Sequence, residues 1–249
     1  MKAPCQSVTA REARRFYDGC WEQIEDVVSD EQELIIDWYD AAGKSGGQIK
    51  LWAWPNDLGA LALGHVLLET GPNKSRQCQA DVKCLAPMHY HVTLRPACAA
   101  APYASLPPLF GAQLLEAMRA FLTAATHWTG TGCFHQAGLF DPSANALLVR
   151  AEDIGRHNCL DRLAGWGAQN VISLQDKVLL TSARITGGYC AKALRAGLSV
   201  LVSRSAVTAA AIRLAEEHSA TLIGFARSGE ERLTLYTDVS GRITPGTRH

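Results

Sequence analysis

The chain has 249 residues, a formal net charge of zero and a hydrophobic content of 47%. This length suits one large domain or two small ones, and the hydrophobic content suits a globular protein with a core. A zero net charge argues against general affinity for nucleic acid or for an anionic membrane. We find neither a signal peptide nor a run of about 18 apolar residues, so we expect a cytoplasmic protein without a membrane span. Its eight cysteines form no C-x-x-C pair and are expected to be reduced thiols.

The first part of the chain predicts a small α+β unit. Residues 1–30 are polar with mixed charge, and we predict a helix there. The segments 33–39 and 48–54 predict two strands that pair across a glycine-rich turn, because both are rich in apolar and aromatic residues.

A helix is predicted next, from Pro55 to Leu68, with Asn56 or Asp57 as its N-cap. Short strands are expected near 82–85 and 89–94. The histidines of the second of these strands lack a third ligand, so we do not predict a metal site there.

A loop rich in proline and alanine, residues 95–108, is the expected domain boundary. We therefore assign residues 1–108 to an N-terminal α+β domain and residues 109–249 to a C-terminal α/β domain.

In the second domain, predicted strands alternate with predicted helices, which argues for a layered α/β fold. The strands are expected at 133–141, 146–149, 177–181, 199–203, 221–225 and 232–237. The helices are expected at 113–126, from 153 onward, at 188–196 and at 207–218.

Polar residues collect where these strands end and the next helices begin. Ligands of such sheets bind at this edge, where backbone N–H groups, hydroxyls and guanidiniums can hold a phosphate or a nucleotide. The residues predicted to form a ligand-binding rim are Arg156, His157, Asn158, Ser182, Arg184, Ser205, Thr208 and Arg227. For any one serine, threonine or glycine here, an ordinary cap or turn is the alternative.

A second candidate segment precedes the first strand of this domain. Gly132 allows a close backbone approach, and Cys133 and His135 follow it. His135 fits either an acid–base role or a hydrogen-bonded core position. Asp161 fits either the rim or a structural ion pair with Arg162 or with a neighbouring strand.

These motifs resemble the FdhD/NarQ family of formate dehydrogenase accessory proteins. The opening of the predicted helix, Glu152-Asp-Ile-Gly-Arg-His-Asn-Cys-Leu-Asp161, is similar to the family block E-D-[VI]-G-R-H-N-A-L-D, with Cys159 in place of alanine. The other similar blocks lie, in chain order, at residues 61–69, 131–135, 181–184, 205–208 and 221–225.

The resemblance implies a cytidine-deaminase-like C-terminal domain, a smaller N-terminal domain and a homodimer. It also implies that the chain binds bis-molybdopterin guanine dinucleotide as cargo at the rim. Sulfur would pass from a cysteine desulfurase to this cofactor before it enters the catalytic subunit of formate dehydrogenase. The H-x-E and P-C-x-x-C motifs of zinc deaminases are missing, so we expect no metal site.

The chain departs from the family in the loop that carries sulfur. The family has a C-G-x-C-G type motif, whereas residues 95–103 keep one cysteine, Cys98, and neither glycine. A single thiol can carry a persulfide, but an alanine-rich loop is stiffer than a glycine-rich one. Two hypotheses follow: a sulfurtransferase that uses Cys98, or a cofactor chaperone that moves no sulfur.

Overall fold

A computed structural model describes residues 8–70, 80–95, 106–123 and 127–244. Helices pack on mixed β-sheets, so the predicted α/β fold class is confirmed. The predicted boundary at residue 108 stays a prediction, and most of the loop before it, residues 96–105, lies outside the described residues.

The helix predicted for residues 1–30 is wrong for the described part of that segment. Strands β1 (Val8–Tyr17) and β2 (Cys20–Ser29) instead form an antiparallel hairpin. Asp18 and Gly19 connect them with φ angles of 46° and 81°. Positive φ at both central residues is the mark of a two-residue turn that matches the twist of its strands, and Asp-Gly favours it. This local preference outweighs the mixed polar pattern that suggested a helix.

The N-terminal sheet contains the predicted strand pair and the two later strands. In chain order these are β3 (Gln32–Tyr39), β4 (Ser45–Ala53), β5 (Ala80–Ala86) and β6 (His89–Leu94), arranged β4-β3-β6-β5. The predicted helix is α1 (Leu58–Glu69). Leu34 and Ile36 of β3 and Val92 of β6 are buried in one core cluster with residues of α1. Asp57 is the N-cap residue, but its side chain makes no capping hydrogen bond.

The C-terminal part is built around a six-stranded sheet. The strands from here on are β7 (Leu109–Phe110), β8 (His135–Asp141), β9 (Ala146–Asp153), β10 (Val178–Thr181), β11 (Val200–Ser203), β12 (Thr221–Arg227), β13 (Arg232–Asp238) and β14 (Ile243–Thr244). The six-stranded sheet has the order β13-β12-β11-β10-β8-β9, and β7 pairs with β14 separately. Its central strands β10, β11 and β12 are parallel, while β8 is antiparallel to β10.

Helices cover both faces of this sheet. They are α2 (Gly111–Thr123), α3 (Trp128–Thr131), α4 (Arg156–Asn170), α5 (Gly187–Arg195) and α6 (Ala209–Glu217), with a short 3-10 helix at Ser228–Glu230. Alternate residues of β10 face opposite sides: Leu179 packs in the cluster of α4, α5 and α6, whereas Val178 and Leu180 pack with α2. The short helix α3 was not predicted. The helix predicted from residue 153 begins at Arg156, because β9 continues to Asp153.

The helices α1 and α4 join the two parts of the molecule at very short range. A Cβ atom built on Gly165 would lie 1.9 Å from the carbonyl oxygen of Ala60. A Cβ atom built on Gly64 would lie 1.8 Å from the carbonyl oxygen of Asp161. Only glycine permits such backbone contact, so these two positions set the distance between the helices.

Arg162 forms a second connection between the two parts. Its Nε and Nη2 donate to Oδ2 of Asp153 at 3.0 and 2.6 Å. The same guanidinium donates to the carbonyl oxygens of Trp54, Asn56 and Asp57, which precede α1. These hydrogen bonds lie in the interior of the protein, since Arg162 is only 4% exposed.

Asp161 has different partners from the Arg162 pair suggested by the sequence. Its Oδ2 accepts from Lys192 Nζ of α5 at 2.7 Å and lies 3.0 Å from Nδ1 of His65 on α1. Lys192 also lies 3.2 Å from a carboxylate oxygen of Glu69. Asp161 and Lys192 are almost fully buried. They therefore form a buried ion pair between α4 and α5 rather than a part of the rim.

Candidate functional site

Four strands of the six-stranded sheet bring their ends to one edge. Strand β8 begins at His135, which pairs with Asp153 at the end of β9. Thr181, at the end of β10, pairs with Ala137 of β8 and with Ser203 at the end of β11. Because α4, α5 and α6 start just after β9, β10 and β11, their N-termini face the same edge. The predicted edge of strand ends and helix starts is therefore present.

Ser182 and Ser205 hold the turns of this edge together. The hydroxyl of Ser182 accepts from the backbone N–H of Gln136 at 3.0 Å, which ties β10 to β8. The hydroxyl of Ser205 donates to the carbonyl oxygen of Ser182 at 2.8 Å. Both hydroxyls therefore have structural partners, as the cap-and-turn alternative anticipates.

Thr208 also serves the fold directly. It is the N-cap of α6, and its Oγ1 accepts from the backbone N–H of Ala211 at 3.4 Å. Thr186 does the same for α5 through the N–H of Tyr189. Sequence reasoning did not single out Thr186, although a threonine before Gly187 and an apolar helical stretch is a cap signal.

Arg156, Arg184 and His135 form the charged centre of the edge. Partial burial lowers the pKa of His135, and the nearby guanidiniums of Arg156 and Arg184 lower it further. No carboxylate of the described residues lies within ion-pair distance of either arginine, and Nε of Arg156 is buried without a hydrogen-bond partner. The centre is thus positively charged and unneutralised within the described residues, which suits an anion.

His157 stands beside this centre on the first turn of α4. Burial lowers the pKa of His157, and the charges of Lys192 and Arg156 add to the effect. Its ring packs against the buried ring of Tyr189 with centroids 5.6 Å apart. A neutral imidazole with one donor and one acceptor is therefore available at the edge.

Asn158 is tied to the fold by both N–H groups of its side chain. Its Nδ2 donates to the carbonyl oxygen of Trp52 and to Oδ1 of Asp153, each at 2.9 Å. Only its Oδ1 remains to accept a further bond. The predicted contact of Asn158 with a ligand stays a prediction, but the ligand atom would have to be a donor.

Gly132 and Cys133 lie on the connection from α3 to β8. Gly132 ends α3 with a φ of 69°, and its N–H donates to the carbonyl oxygen of Trp128. Cys133 is exposed. This connection leads into His135 at the start of β8, and the predicted contact of Gly132 and Cys133 with a ligand stays a prediction.

Arg227 lies further along, at the end of β12. It pairs with Glu230 at 2.9 Å, and its guanidinium lies 5.5 Å from the ring centre of Phe225. Phe225 has a φ of 50°, which is rare for a bulky residue, and its N–H donates to the carbonyl oxygen of Ser205. Arg227 thus already has an anionic partner, unlike Arg156 and Arg184. Sequence reasoning gave no signal for the conformation of Phe225.

The thiols of the described residues fall into two groups. Cys159 and Cys190 are buried, and burial raises the pKa of Cys190 to about 11. Cys20, Cys84 and Cys133 are exposed. The predicted sulfur carrier, Cys98, lies outside the described residues.

The described residues contain no group of three or more histidine, cysteine, aspartate or glutamate side chains placed to hold a metal ion. In the same residues, no helix has the length and the apolar content needed to cross a membrane.

The sequence is similar to those of several named proteins. Protein FdhD of Methanocaldococcus jannaschii is 38% identical over 131 residues, which are 53% of this chain and 56% of that protein. The sulfur carrier protein FdhD of Halalkalibacterium halodurans is 38% identical over 133 residues, which are 53% of this chain and 48% of that protein. The chain thus spans about half the length of the curated relatives it matches.

A solved structure shows the same fold. The crystal structure of a candidate formate dehydrogenase accessory protein from Desulfotalea psychrophila matches with a TM-score of 0.78. The match covers 95% of this chain and 99% of that one at 22% identity. Finally, the sequence model of the FdhD/NarQ family matches residues 84–244, which include every rim position named above. The chain therefore belongs to the FdhD/NarQ family.

Proposed function

We propose that this protein is a formate dehydrogenase accessory protein that binds bis-molybdopterin guanine dinucleotide at the rim. In this proposal it supports sulfuration of the cofactor and its insertion into the catalytic subunit of formate dehydrogenase. The names of its relatives, sulfur carrier protein FdhD among them, support the role. The observation that carries the binding proposal is the pair of arginines at the sheet edge, Arg156 and Arg184, without a carboxylate partner among the described residues.

The chemistry of this edge fits the dinucleotide part of the cofactor. Each guanine dinucleotide brings a diphosphate, and guanidiniums beside helix N-termini are suitable donors for phosphate oxygens. Arg156 would hold the phosphates at the first turn of α4, and Arg184, whose charge also acts on His135, would add a second guanidinium. The two neutral imidazoles could donate to the same oxygens. Because Ser182, Ser205 and Thr208 already have partners, their contribution would come through the backbone turns they fix.

Guanosine diphosphate provides a direct test of the binding site. We expect it to raise the melting temperature in proportion to the logarithm of its concentration over Kd. Arg156→Ala should weaken binding about ten- to hundredfold, because a hydrogen bond between charged groups contributes about 1.5–3 kcal/mol. Arg119→Ala on α2 is the matched control, since Arg119 is an exposed partner of Glu116 outside the rim. Unchanged affinity in Arg156→Ala would show that the rim is misplaced.

Sulfur transfer would need one thiolate. The thiolate of Cys98 would attack the outer sulfur of a persulfide on the desulfurase, forming an S–S bond at Cys98 and releasing the desulfurase cysteine as a thiolate. Transfer of the outer sulfur would then form a bond from the acceptor on the cofactor, which supplies the electron pair, to that sulfur, and would break the S–S bond and release Cys98 as a thiolate. A homodimer in the cytoplasm, as the family resemblance implies, is part of this proposal.

A chaperone that holds and delivers the cofactor without moving sulfur is the alternative, and the loss of the second carrier cysteine favours it. Loading the protein with a desulfurase and cysteine, followed by mass spectrometry, separates the two. A persulfide at Cys98, and loss of active formate dehydrogenase in Cys98→Ala cells but not in Cys84→Ala cells, would support the sulfurtransferase. Full activity with Cys98→Ala would leave the chaperone.

A further inference from the structure

The hairpin of β1 and β2 lies apart from the cores of the molecule. Within the described residues, its two strands form a sheet of their own, and neither strand contributes a residue to a hydrophobic core cluster. A hairpin of two strands is only marginally stable in water, because it buries little apolar surface by itself. Each strand is nevertheless ten residues long, which favours a contact that covers one of its faces.

The two faces of this hairpin differ in exposure. The pairing of β1 with β2 has no register shift, so directly opposite residues share a face and successive residues alternate between faces. One face carries Thr9, Ala13 and Ile24, which are half-buried. On the other, the outer face, every residue except Ser29 is exposed. The outer face consists of Val8, Ala10, Glu12, Arg14, Phe16, Trp21, Gln23, Glu25, Val27 and Ser29.

Apolar side chains occupy both ends of the outer face. Next to the turn, the rings of Phe16 and Trp21 lie 5.4 Å apart, and the two residues are 59% and 60% exposed. Toward the open end of the hairpin, Val27 and Val8 are also exposed. Exposed aromatic and aliphatic side chains grouped on one surface are typical of a contact with another protein.

A pair of carboxylates and a cation lie between these apolar ends. Glu12 and Glu25 are directly opposite each other, an arrangement in which like charges repel. Arg14 belongs to the next pair toward the turn, and its guanidinium lies 5.6 Å from the ring centre of Trp21. None of these three charges has an ion-pair partner among the described residues. A complementary surface would therefore bring a cation to the glutamates and an anion to the arginine.

The outer face of a second copy supplies both of these charges. Two hairpins can stack face to face and run in opposite directions, with a two-fold axis that passes between the levels of Glu12 and Arg14. Arg14 of each copy then meets Glu12 and Glu25 of the other, so the contact occurs twice in one dimer. The glutamate pair thus gains a cation, which favours a second copy over an unrelated partner.

The same arrangement matches the apolar ends of the outer face. Because the axis runs across the strands, β1 of one copy lies over β1 of the other, and β2 lies over β2. Phe16 then meets Ala10 of the other copy, a large side chain against a small one. Trp21 meets Val27 in the same way. Facing side chains that interdigitate in this manner pack two sheets about 10 Å apart.

We propose that the outer face of the hairpin binds the same face of a second copy and forms the interface of a homodimer. The inference rests on the homodimer of the proposed function and assigns the surface that forms it. The apolar ends supply most of the affinity, and the charges between them fix the register. The rim and its ligand take no part in this contact.

Charge reversal tests the register by analytical ultracentrifugation of the whole protein. The wild type should sediment as a dimer at micromolar concentration. Arg14→Glu leaves only negative charges on the outer face, and the double variant Glu12→Arg/Glu25→Arg leaves only positive ones, so each variant alone should be a monomer. An equimolar mixture of the two should sediment as a dimer again, because opposite charges then meet at every contact.

Matched aromatic variants provide the second test. Trp21→Ser should weaken dimerisation about thirtyfold or more, as is usual when a large aromatic residue at an interface is truncated. Tyr17→Ser is the control, because Tyr17 is 71% exposed next to the same turn but lies on the opposite face, so its dimerisation should be unchanged. Circular dichroism of each variant checks that it is folded.

The proposal is overturned if the charge-reversed variants remain dimers, if their mixture stays monomeric, or if Trp21→Ser and Tyr17→Ser dimerise alike. A dimer that persists in every variant overturns the hairpin interface but keeps the proposed homodimer. A monomeric wild type overturns both. Guanosine diphosphate binding, measured in parallel, reports on the rim separately.

Discussion

Arg156 occupies a position that a cation normally avoids. It is the first residue of α4, where the helix dipole and the free N–H groups already contribute positive charge. Arg184 adds a second charge nearby, and two imidazoles stand beside them with lowered pKa values. Such an arrangement costs stability unless an anion joins it, which is the physical reason to place the ligand phosphates here.

The two rim histidines should titrate below the ordinary histidine pKa of about 6.5. Burial and neighbouring cations both disfavour their protonated forms. The unfolded chain then takes up protons at a higher pH than the folded chain does. The free energy of unfolding should therefore fall as the pH drops below about 6.5.

NMR titration of the imidazole signals checks this expectation, with His135→Gln and His157→Gln providing the assignments. Pyrophosphate added at the rim should raise both pKa values, because it brings negative charge to the imidazoles. A pKa at or above 6.5 in the free protein, or no response to pyrophosphate, would contradict the electrostatic description of the rim.

At the scale of elements, long periodic segments were predictable and local exceptions were not. The pattern of apolar residues predicted the strands of the six-stranded sheet and the helices α1, α2, α4, α5 and α6. It failed for the hairpin of β1 and β2, where the Asp18-Gly19 turn was the overlooked signal. The helix α3 is four residues long, too short for helical periodicity to be visible.

The contact of α1 with α4 yields a prediction at this scale. Gly165→Ala should destabilise the protein by about 3 kcal/mol, because the new methyl group would overlap the carbonyl oxygen of Ala60 and push the helices apart. Urea unfolding at neutral pH measures the loss. Gly130→Ala in α3 is the control, since a Cβ there meets nothing within 4 Å. Equal stability of the two variants would show that α1 and α4 can separate without cost.

At the scale of the whole molecule, the sequence predicted the strand ends and helix starts of this edge better than the contacts that hold them in place, and the ligand-binding role of the rim stays a prediction. Strand ends and helix starts are local signals, so the residues of the edge could be named in advance. Arg162 and Asp161 each also have partners about a hundred positions earlier, in α1 or just before it. No local pattern indicates such pairs.

Arg162 gives a whole-molecule prediction, because it joins the segment before α1 to β9 and α4. Arg162→Lys keeps the charge but cannot reproduce the set of bonds made by a planar guanidinium. We expect a loss of about 3 kcal/mol in the free energy of unfolding, because an ammonium has only three donors and would leave buried carbonyl oxygens unsatisfied, at about 1–3 kcal/mol for each group. Arg119→Lys, the same change in an exposed pair, should have almost no effect. Urea unfolding of both variants and of the wild type measures the two losses in the free energy of unfolding, and equal losses would contradict this prediction.

Because Arg162 bonds to residues that are far from it in the sequence, these bonds also bear on how the chain folds during synthesis. The carbonyl oxygen of Trp54 leaves the ribosome 108 residues before the guanidinium that it will accept from. At about 5–20 residues per second this interval is roughly 5–20 s. Through that time the surface of α1 that will meet α4, including Gly64, has no partner. We therefore expect the face of α1 that later meets α4 to stay uncovered until α4 has been synthesised, while its other face can already pack on the N-terminal sheet.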